Sequence, residues 1–392
     1  MGNSKQDTDT IGVVFSNLLL QLIVFFLPTQ LGLHFWPDFS RAAGIKVDYL
    51  SPTLYFVDLL IILYIFPNLQ NIFQWLKKNI FAIAVFTIFI TLNSLLGLSP
   101  LNSFFWWARN LLYLLFFLTL RLRKVTWSQI KVPLLTSTLL IVFLEIYQLL
   151  HQGSAGGLFY WLGERTYSFS TPGLGRLSWF GLDLIRPQST FSHSNSLAGY
   201  LLIVYYLLFI NKSVLWSKIM VFSGLVLALS KAALLAFLLV FIFRINSGLL
   251  TTAFLSFSFA QIFLPNLVAS YQTIADRILL LAPAKKIIIS APVLGVGLGN
   301  FIPALSSLLP GSFLLPAKLQ PVHNFFLLAL SETGFLGIYL ATRLLRKNLP
   351  KIIQPRFLGL LALIAITGAF DHYWWTLPQN KLILLLAASL LL

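Results

Sequence analysis

The sequence predicts an all-α fold: a polytopic helical membrane protein of about twelve transmembrane helices. Three observations predict it. Of 392 residues, 58% are hydrophobic and only 10% are charged, with a mean hydropathy of +0.86. Apolar runs recur at about the length that crosses a bilayer core, ~20 residues. Lys and Arg cluster in alternate gaps between those runs.

The runs lie near Ile11–Leu27, Ser51–Phe66, Ile80–Leu96, Phe104–Leu120, Val132–Leu150, Ser196–Ile210, Leu215–Leu229, Ala232–Phe243, Leu249–Leu264, Asn324–Thr342, Phe357–Phe370 and Leu382–Leu392. The start, Met1 to Thr10, is polar, and the apolar run after it lacks a small-residue cleavage site, so a removable leader is not expected. We expect one integral membrane domain over residues 1–392.

Charge sets the topology. Lys77 and Lys78, then Arg121, Arg123, Lys124 and Lys131, then Lys212 and Lys218, then Arg244, then Arg343 to Arg356 fall on the side of the N-terminus if the chain reverses at Ser230-Lys231. The positive-inside rule makes that side cytoplasmic. One continuous helix through Lys231 would flip every later segment and put the Arg343–Arg356 cluster outside. A turn at Lys231 is therefore expected, with a multi-pass location in the cell inner (plasma) membrane.

The net charge of +16 suits anionic lipid heads and an anionic substrate. No basic run interleaved with aromatics suggests nucleic acid. With no Cys, disulfides and thiol chemistry are excluded.

Two long outer segments follow, residues 151–195 and 265–323. Segments of this length in a compact bundle are usually functional. Their polar groups gather where apolar runs begin. Arg186-Pro-Gln-Ser-Thr-Phe-Ser-His-Ser-Asn195 and Pro321-Val-His-Asn324 carry a cation, imidazoles, amides and hydroxyls at helix mouths. Such groups are costly in lipid and face water, protein or ligand.

Arg186 offers a planar, permanently charged fork that fits phosphate oxygens. Arg277 stands on the second segment before Lys285-Lys286, placed to spread diphosphate charge. His323 carries an imidazole and is a candidate general base. Glu332 lies nine residues on, about 13 Å deeper by helical rise, and reads as a structural bond inside the bundle. His193, Asn195, Lys231, Asn324 and Lys285 are candidate substrate contacts. Asp371 and His372 are further groups for the mouth, and the Trp374-Trp375 pair that follows suits a membrane interface.

Among residues inside the runs, Arg109 is a match for Glu145 or Asp58. Gly295-Val-Gly-Leu-Gly299 lacks the Lys-Ser/Thr ending and βαβ frame of a phosphate loop, so it reads as a tight turn or a close backbone approach. There is no Asp-x-Asp pair in the first outer segment, no His-Glu-x-x-His and no Gly-x-Ser-x-Gly. A metal-free and cofactor-free mechanism is expected, in which fixed cations stabilise a leaving diphosphate.

Four pieces in order carry a family resemblance. They are Arg186 with Phe191-Ser-His-Ser-Asn195-Ser-Leu-Ala-Gly-Tyr200; Leu227-Ala-Leu-Ser-Lys231; Arg277 followed by Pro292-Val-Leu-Gly-Val-Gly-Leu-Gly-Asn-Phe301; and His323-Asn324 followed by Glu332-Thr-Gly334. Over residues 186–337 the chain resembles the O-antigen ligase and O-antigen polymerase family. Ser230-Lys231 stands where that family usually has Ser-Arg, and the stretch after Arg277 lacks an aromatic expected before Pro292.

The resemblance implies a fold like the GT-C-type membrane glycosyltransferases and an extracytoplasmic active site. It implies a glycan donor on undecaprenyl diphosphate and a lipid or glycan acceptor. Arg186 and Arg277 would hold the diphosphate, and His323 would be the base on the acceptor hydroxyl, with inversion at the anomeric carbon. A ligase is the expected activity. A polysaccharide polymerase or a protein O-oligosaccharyltransferase shares the donor chemistry, and a transporter of lipid-linked sugars is the reading from another class.

Overall fold

In the computed structural model, residues 3–171, 174–179, 181–263, 279–309, 318–346 and 349–392 are described. The chain is 70% helical and 5% strand, an all-α membrane protein. The helices in chain order are α1 Asn3–Phe26, α2 Phe56–Ile65, α3 Leu69–Lys78, α4 Ile80–Leu95, α5 Pro100–Leu122, α6 Trp127–His151, α7 Leu158–Trp161, α8 Ser194–Ile210, α9 Leu215–Leu227 and α10 Lys231–Phe237. They continue as α11 Ser247–Ala260, α12 Leu281–Ser290, α13 Phe301–Leu308, α14 Phe325–Arg346, α15 Leu349–Ile352, α16 Pro355–Gly368, α17 Tyr373–Thr376 and α18 Pro378–Leu391. Among the described residues four helices are long and apolar enough to cross a membrane: Phe56–Lys78 (α2 with α3), α5, α6 and Phe325–Leu344 of α14. Eight shorter apolar helices accompany them.

α6 shows why these sequences pack as they do. Val132, Leu139, Leu140, Phe143, Ile146 and Leu150 are exposed on one stripe. Ser137, Thr138, Glu145 and Gln148 are buried on the other face with Ile130, Leu134 and Ile141. The apolar side points outward and the polar side chains point in, the reverse of a soluble helix, as lipid demands. A capping box between Thr126 and Gln129 starts this helix, and Pro at the first position starts α5, α16 and α18.

The chain does reverse at Ser230-Lys231. Leu229 takes a left-handed φ of 52°. Phe222 and Phe237, nearly equidistant from it, pack at 4.7 Å, and Tyr205 of α8 touches both. α9 and α10 are thus antiparallel neighbours. Basic residues concentrate at the opposite end of the bundle, where Arg121 bonds the Ser389 carbonyl at the end of α18 and Lys351 meets the C-terminal residue.

α14 is broken. Gly334 has φ 62° and ψ −175° inside it. The loop after α12 fills the gap: Phe335 N donates to Pro292 O at 2.8 Å, Leu336 N to Val293 O at 3.0 Å and Val296 N to Ser331 O at 2.9 Å. Asn93 of α4 clamps both pieces, donating to Leu294 O and Glu332 O and accepting from Leu298 N and Trp107 Nε1. Backbone polar groups freed deep in a bundle need such partners. Gly295 and Gly334 approach too closely for any side chain: an added Cβ would sit 2.4 Å and 2.2 Å from the facing backbone. The Gly-rich stretch is a close backbone approach.

Segment 265–323 is more structured than a loop, since α12 and α13 lie in it and form their own apolar cluster with Leu319 and Val322. Segment 151–195 holds α7 and the hairpin of β5 (Arg176–Trp179) with β6 (Leu182–Ile185). A third segment at the same end was not singled out from sequence. It contains two short antiparallel pairs, β1 (Gly32–His34) with β4 (Thr53–Tyr55) and β2 (Arg41–Ala42) with β3 (Ile45–Lys46).

Candidate active site

Arg186 ends the β5–β6 hairpin, its N–H bonded to Gly175 O at 2.9 Å. The loop after it is tied to α6 through Gln148, whose Oε1 accepts from Gln188 N and Ser189 N at 3.1 and 2.7 Å. Thr190 is tied to the end of α1 through Pro28 O at 2.7 Å. The guanidinium therefore projects from a fixed base. Its Nε and Nη2 donate to Ala228 O, at the α9–α10 turn, at 3.3 and 3.0 Å. Nη2 also donates to Asn195 Oδ1 at 2.8 Å.

His193 caps α8 by accepting from Ser196 N through Nδ1 at 3.2 Å, which fixes the ring. Asn195 is the second residue of α8, and its Nδ2 donates to Asp371 Oδ2 at 2.8 Å. Asp371 follows α16 and is 3% exposed. Its Oδ1 accepts from His372 N at 2.8 Å and stands 3.9 Å from His323 Nδ1. That separation is an ion-pair distance, beyond a hydrogen bond. His323 Nδ1 is buried with no hydrogen-bond partner among the described residues. A shift of about 1 Å would join the two, the looseness expected before substrate tightens a site.

The rings complete the cluster. His372 lies 5.3 Å from His323, 6.4 Å from His193 and 5.5 Å from Tyr49, and its Nδ1 shares a 2.9 Å hydrogen bond with Thr376 Oγ1. Burial alone would raise the Asp371 carboxyl. Interaction with His323 and the positive field of His193 and His372 outweigh it, holding Asp371 well below the usual carboxylate range. Asp371 thus stays ionised at the centre of three imidazoles. Ligand atoms of His323, Asp371 and His372 lie within 4.8 Å of one another, a nitrogen-and-oxygen set that a divalent transition metal can also use.

The fold brings together four of the residues chosen from sequence: Arg186, His193, Asn195 and His323. It links two of them, Arg186 and Asn195, to Asp371 by hydrogen bonds and sets His323 3.9 Å beyond that carboxylate. The others stand apart. Asn324 is fully buried; its Nδ2 donates to Ser258 O and Gln261 Oε1, and its Oδ1 accepts from Phe326 N and Leu327 N. Every hydrogen-bonding position of that amide holds the start of α14 in place, so Asn324 supports the site rather than contacting substrate. Lys285 sits over the Phe263 ring at 5.2 Å. Lys231 is exposed at the α9–α10 turn. Arg277 lies outside the described residues.

Two further expectations are corrected. Trp374 and Trp375 do not mark a lipid interface: their indole N–H groups donate inward, to Thr367 Oγ1 at 2.9 Å and Glu332 Oε2 at 2.7 Å. Glu145 does not pair with Arg109. Both its oxygens are buried without a partner among the described residues, whereas Arg109 lies within Coulombic range of Asp58.

No protein-family model, no curated protein and no solved structure matches the chain.

Proposed function

We propose that the protein is an O-antigen ligase-like glycosyltransferase that moves a glycan from an undecaprenyl-diphosphate carrier to an acceptor hydroxyl. In this reading the twelve apolar helices all span, in a GT-C-type arrangement in the plasma membrane. The basic end is cytoplasmic and the His323 end extracytoplasmic. The observation that carries the proposal is the hydrogen-bonded chain Arg186–Asn195–Asp371, whose buried carboxylate stands 3.9 Å from His323, so that a phosphate-type cation and a candidate base lie at the two ends of one polar arrangement.

His323 takes the proton of the acceptor hydroxyl, and Asp371 stabilises the imidazolium that forms. The acceptor oxygen bonds to the anomeric carbon while the bond from that carbon to the diphosphate oxygen breaks. The electron pair leaves with the lipid diphosphate, and inversion follows from attack opposite the leaving group. Arg186 and Arg277 neutralise the charge as it develops. Fixed cations do this work, so the proposed reaction is metal-independent and needs no cofactor.

A polysaccharide polymerase or protein O-oligosaccharyltransferase uses the same donor chemistry with another acceptor. A transporter of lipid-linked sugars needs cations near mid-membrane; the Arg186 chain instead lies at the ends of α8 and α16, which favours transfer. The deciding experiment is reconstitution in liposomes with a lipid-diphosphate glycan and a panel of lipid, glycan and peptide acceptors. A transferred glycan with inverted configuration is expected. Movement of intact donor between leaflets with no product would overturn the proposal.

A further inference from the structure

The histidine cluster has a second chemistry open to it. His323, Asp371 and His372 each offer one ligand atom, and these atoms lie within 4.8 Å of one another. Two imidazoles and one carboxylate, in a chain without Cys, are a nitrogen-and-oxygen set of the kind Zn²⁺ takes. Mg²⁺ and Ca²⁺ prefer shells of oxygen and would find a single carboxylate here.

Two of the ligands are placed by partners outside the set. Asp371 Oδ2 accepts from Asn195 Nδ2 at 2.8 Å, which leaves Oδ1 facing His323. His372 Nδ1 shares a 2.9 Å hydrogen bond with Thr376 Oγ1, which fixes the ring. Outer bonds of this kind orient the ligands of metal sites. The third ligand is unsatisfied: His323 Nδ1 is buried without a hydrogen-bond partner among the described residues, 3.9 Å from Asp371 Oδ1. A buried polar nitrogen left unpaired costs free energy that a bond to an ion recovers. The His323 side chain is 19% exposed against 4% for Asp371, so the way in for an ion is past His323.

The spacing bears on how firmly an ion is held. Two bonds of ~2.0–2.1 Å at a tetrahedral angle set their ligand atoms roughly 3.4 Å apart. The observed 3.9 Å is wider, so the ligands must close on the ion. An ion that has to draw its ligands together binds reversibly, unlike one in a closed structural site.

Occupation would silence the base. An imidazole ligated through Nδ1 keeps its one proton on Nε2, so neither nitrogen can take a proton from an acceptor hydroxyl. The ion also takes the Asp371 oxygen that would stabilise the imidazolium. Both groups of the proton transfer are removed at once.

We propose that His323, Asp371 and His372 form a reversible Zn²⁺ site whose occupation inhibits the enzyme. Inhibition rests on the transfer reading; binding of the ion does not.

The test uses the purified full-length protein in lipid nanodiscs, stripped with EDTA and desalted. Calorimetric titration with ZnCl₂ should show saturable binding, and MgCl₂ none. His372→Phe, which keeps a ring and removes its nitrogens, should weaken Zn²⁺ binding at least ~100-fold, and Thr376→Val, which removes only the outer bond, about tenfold. Thr376→Val decides the matter if His372→Phe does not fold. In the transfer assay, the Zn²⁺ concentration that halves each protein's own rate should rise in step with its dissociation constant, and EDTA should restore the inhibited rate. No Zn²⁺ binding, or equal binding in wild type and both variants, would overturn the site and leave the transferase. Transfer that continues with Zn²⁺ bound, or that is lost on stripping and restored by Zn²⁺, would overturn the inhibition. Zn²⁺ binding that weakens as expected in a protein without transfer removes the transferase and leaves the metal site.

Discussion

Two polar networks in this bundle each hold an Arg and a buried Asp and end differently. In the first, Asp58 accepts from Tyr113 Oη at 2.9 Å and from Tyr55 N at 3.1 Å, and Arg109 bonds Thr53 O. Arg109 also lies about 5 Å from the rings of Tyr55, Phe105 and Trp106 (5.0, 4.9 and 5.4 Å). These contacts are spent joining α2, α5 and the N-terminal β pair. In the second, Arg186, Asn195 and Asp371 lead to His323, a group that can take and return a proton. A buried Asp and Arg therefore say little alone. What separates scaffold from candidate chemistry is whether the network terminates in protein or in a titratable ring.

That contrast can be broken by substitution. His323→Ala should lower transfer about 10³-fold, the middle of the usual range for a general base, while donor binding by fluorescence titration stays near wild type. Unaltered turnover removes the base. Asp371→Asn should cost about 10–100-fold, as loss of a group that orients and charges its neighbour does. It should also change stability with a defined sign. The Asp371 carboxyl is lowered on folding, so its contribution is fully present above the unfolded value of 3.8 and is lost as pH falls through the lower folded value. Melting temperatures of wild type and Asp371→Asn should differ at neutral pH and converge only in strong acid. Convergence at neutral pH would contradict the network.

Arg186→Lys should reduce kcat about tenfold, because a point charge cannot hold both Ala228 O and Asn195 Oδ1 as the fork does. Asp58→Asn should act on the first network alone. It should lower stability by about 1–3 kcal/mol and leave transfer per folded molecule unchanged, as read by thermal unfolding beside the assay. A loss of specific activity there would merge the two networks. The smallest effect is expected from chelation: EDTA or phenanthroline should leave the rate as it was, and loss of turnover restored by added metal would assign the His323–Asp371–His372 set to a catalytic ion.

The helices were legible because each is a run of apolar composition. All twelve apolar runs overlap an apolar helix, and four of those helices are long enough to cross a membrane among the described residues. Arg186, His193 and Asn195 were legible because nine residues and one helix start hold them together. Asp371 as the hub was not, since its partner Asn195 is 176 residues away and no local pattern records that pairing. Lys381 escaped notice for a different reason. A charge before Leu382 reads as the edge of a span, but the helix begins at Pro378 and carries the lysine into the bundle, where its Nζ donates to Asn110 Oδ1 at 2.9 Å. The N-terminal strands are two or three residues long, too short for alternation to show.

The break at Gly334 bears on biogenesis. The stretch Pro292–Gly299 leaves the ribosome before residues 331–336, yet its carbonyls at Pro292 and Val293 find their amide donors only there. Until that later piece arrives, Asn93 and the N–H of Leu98, on or beside helices already synthesised, are the partners at hand. The loop's full set of partners thus exists only once residues 331–336 have been made, while Asn93, which holds it from the other side, is made some two hundred residues earlier.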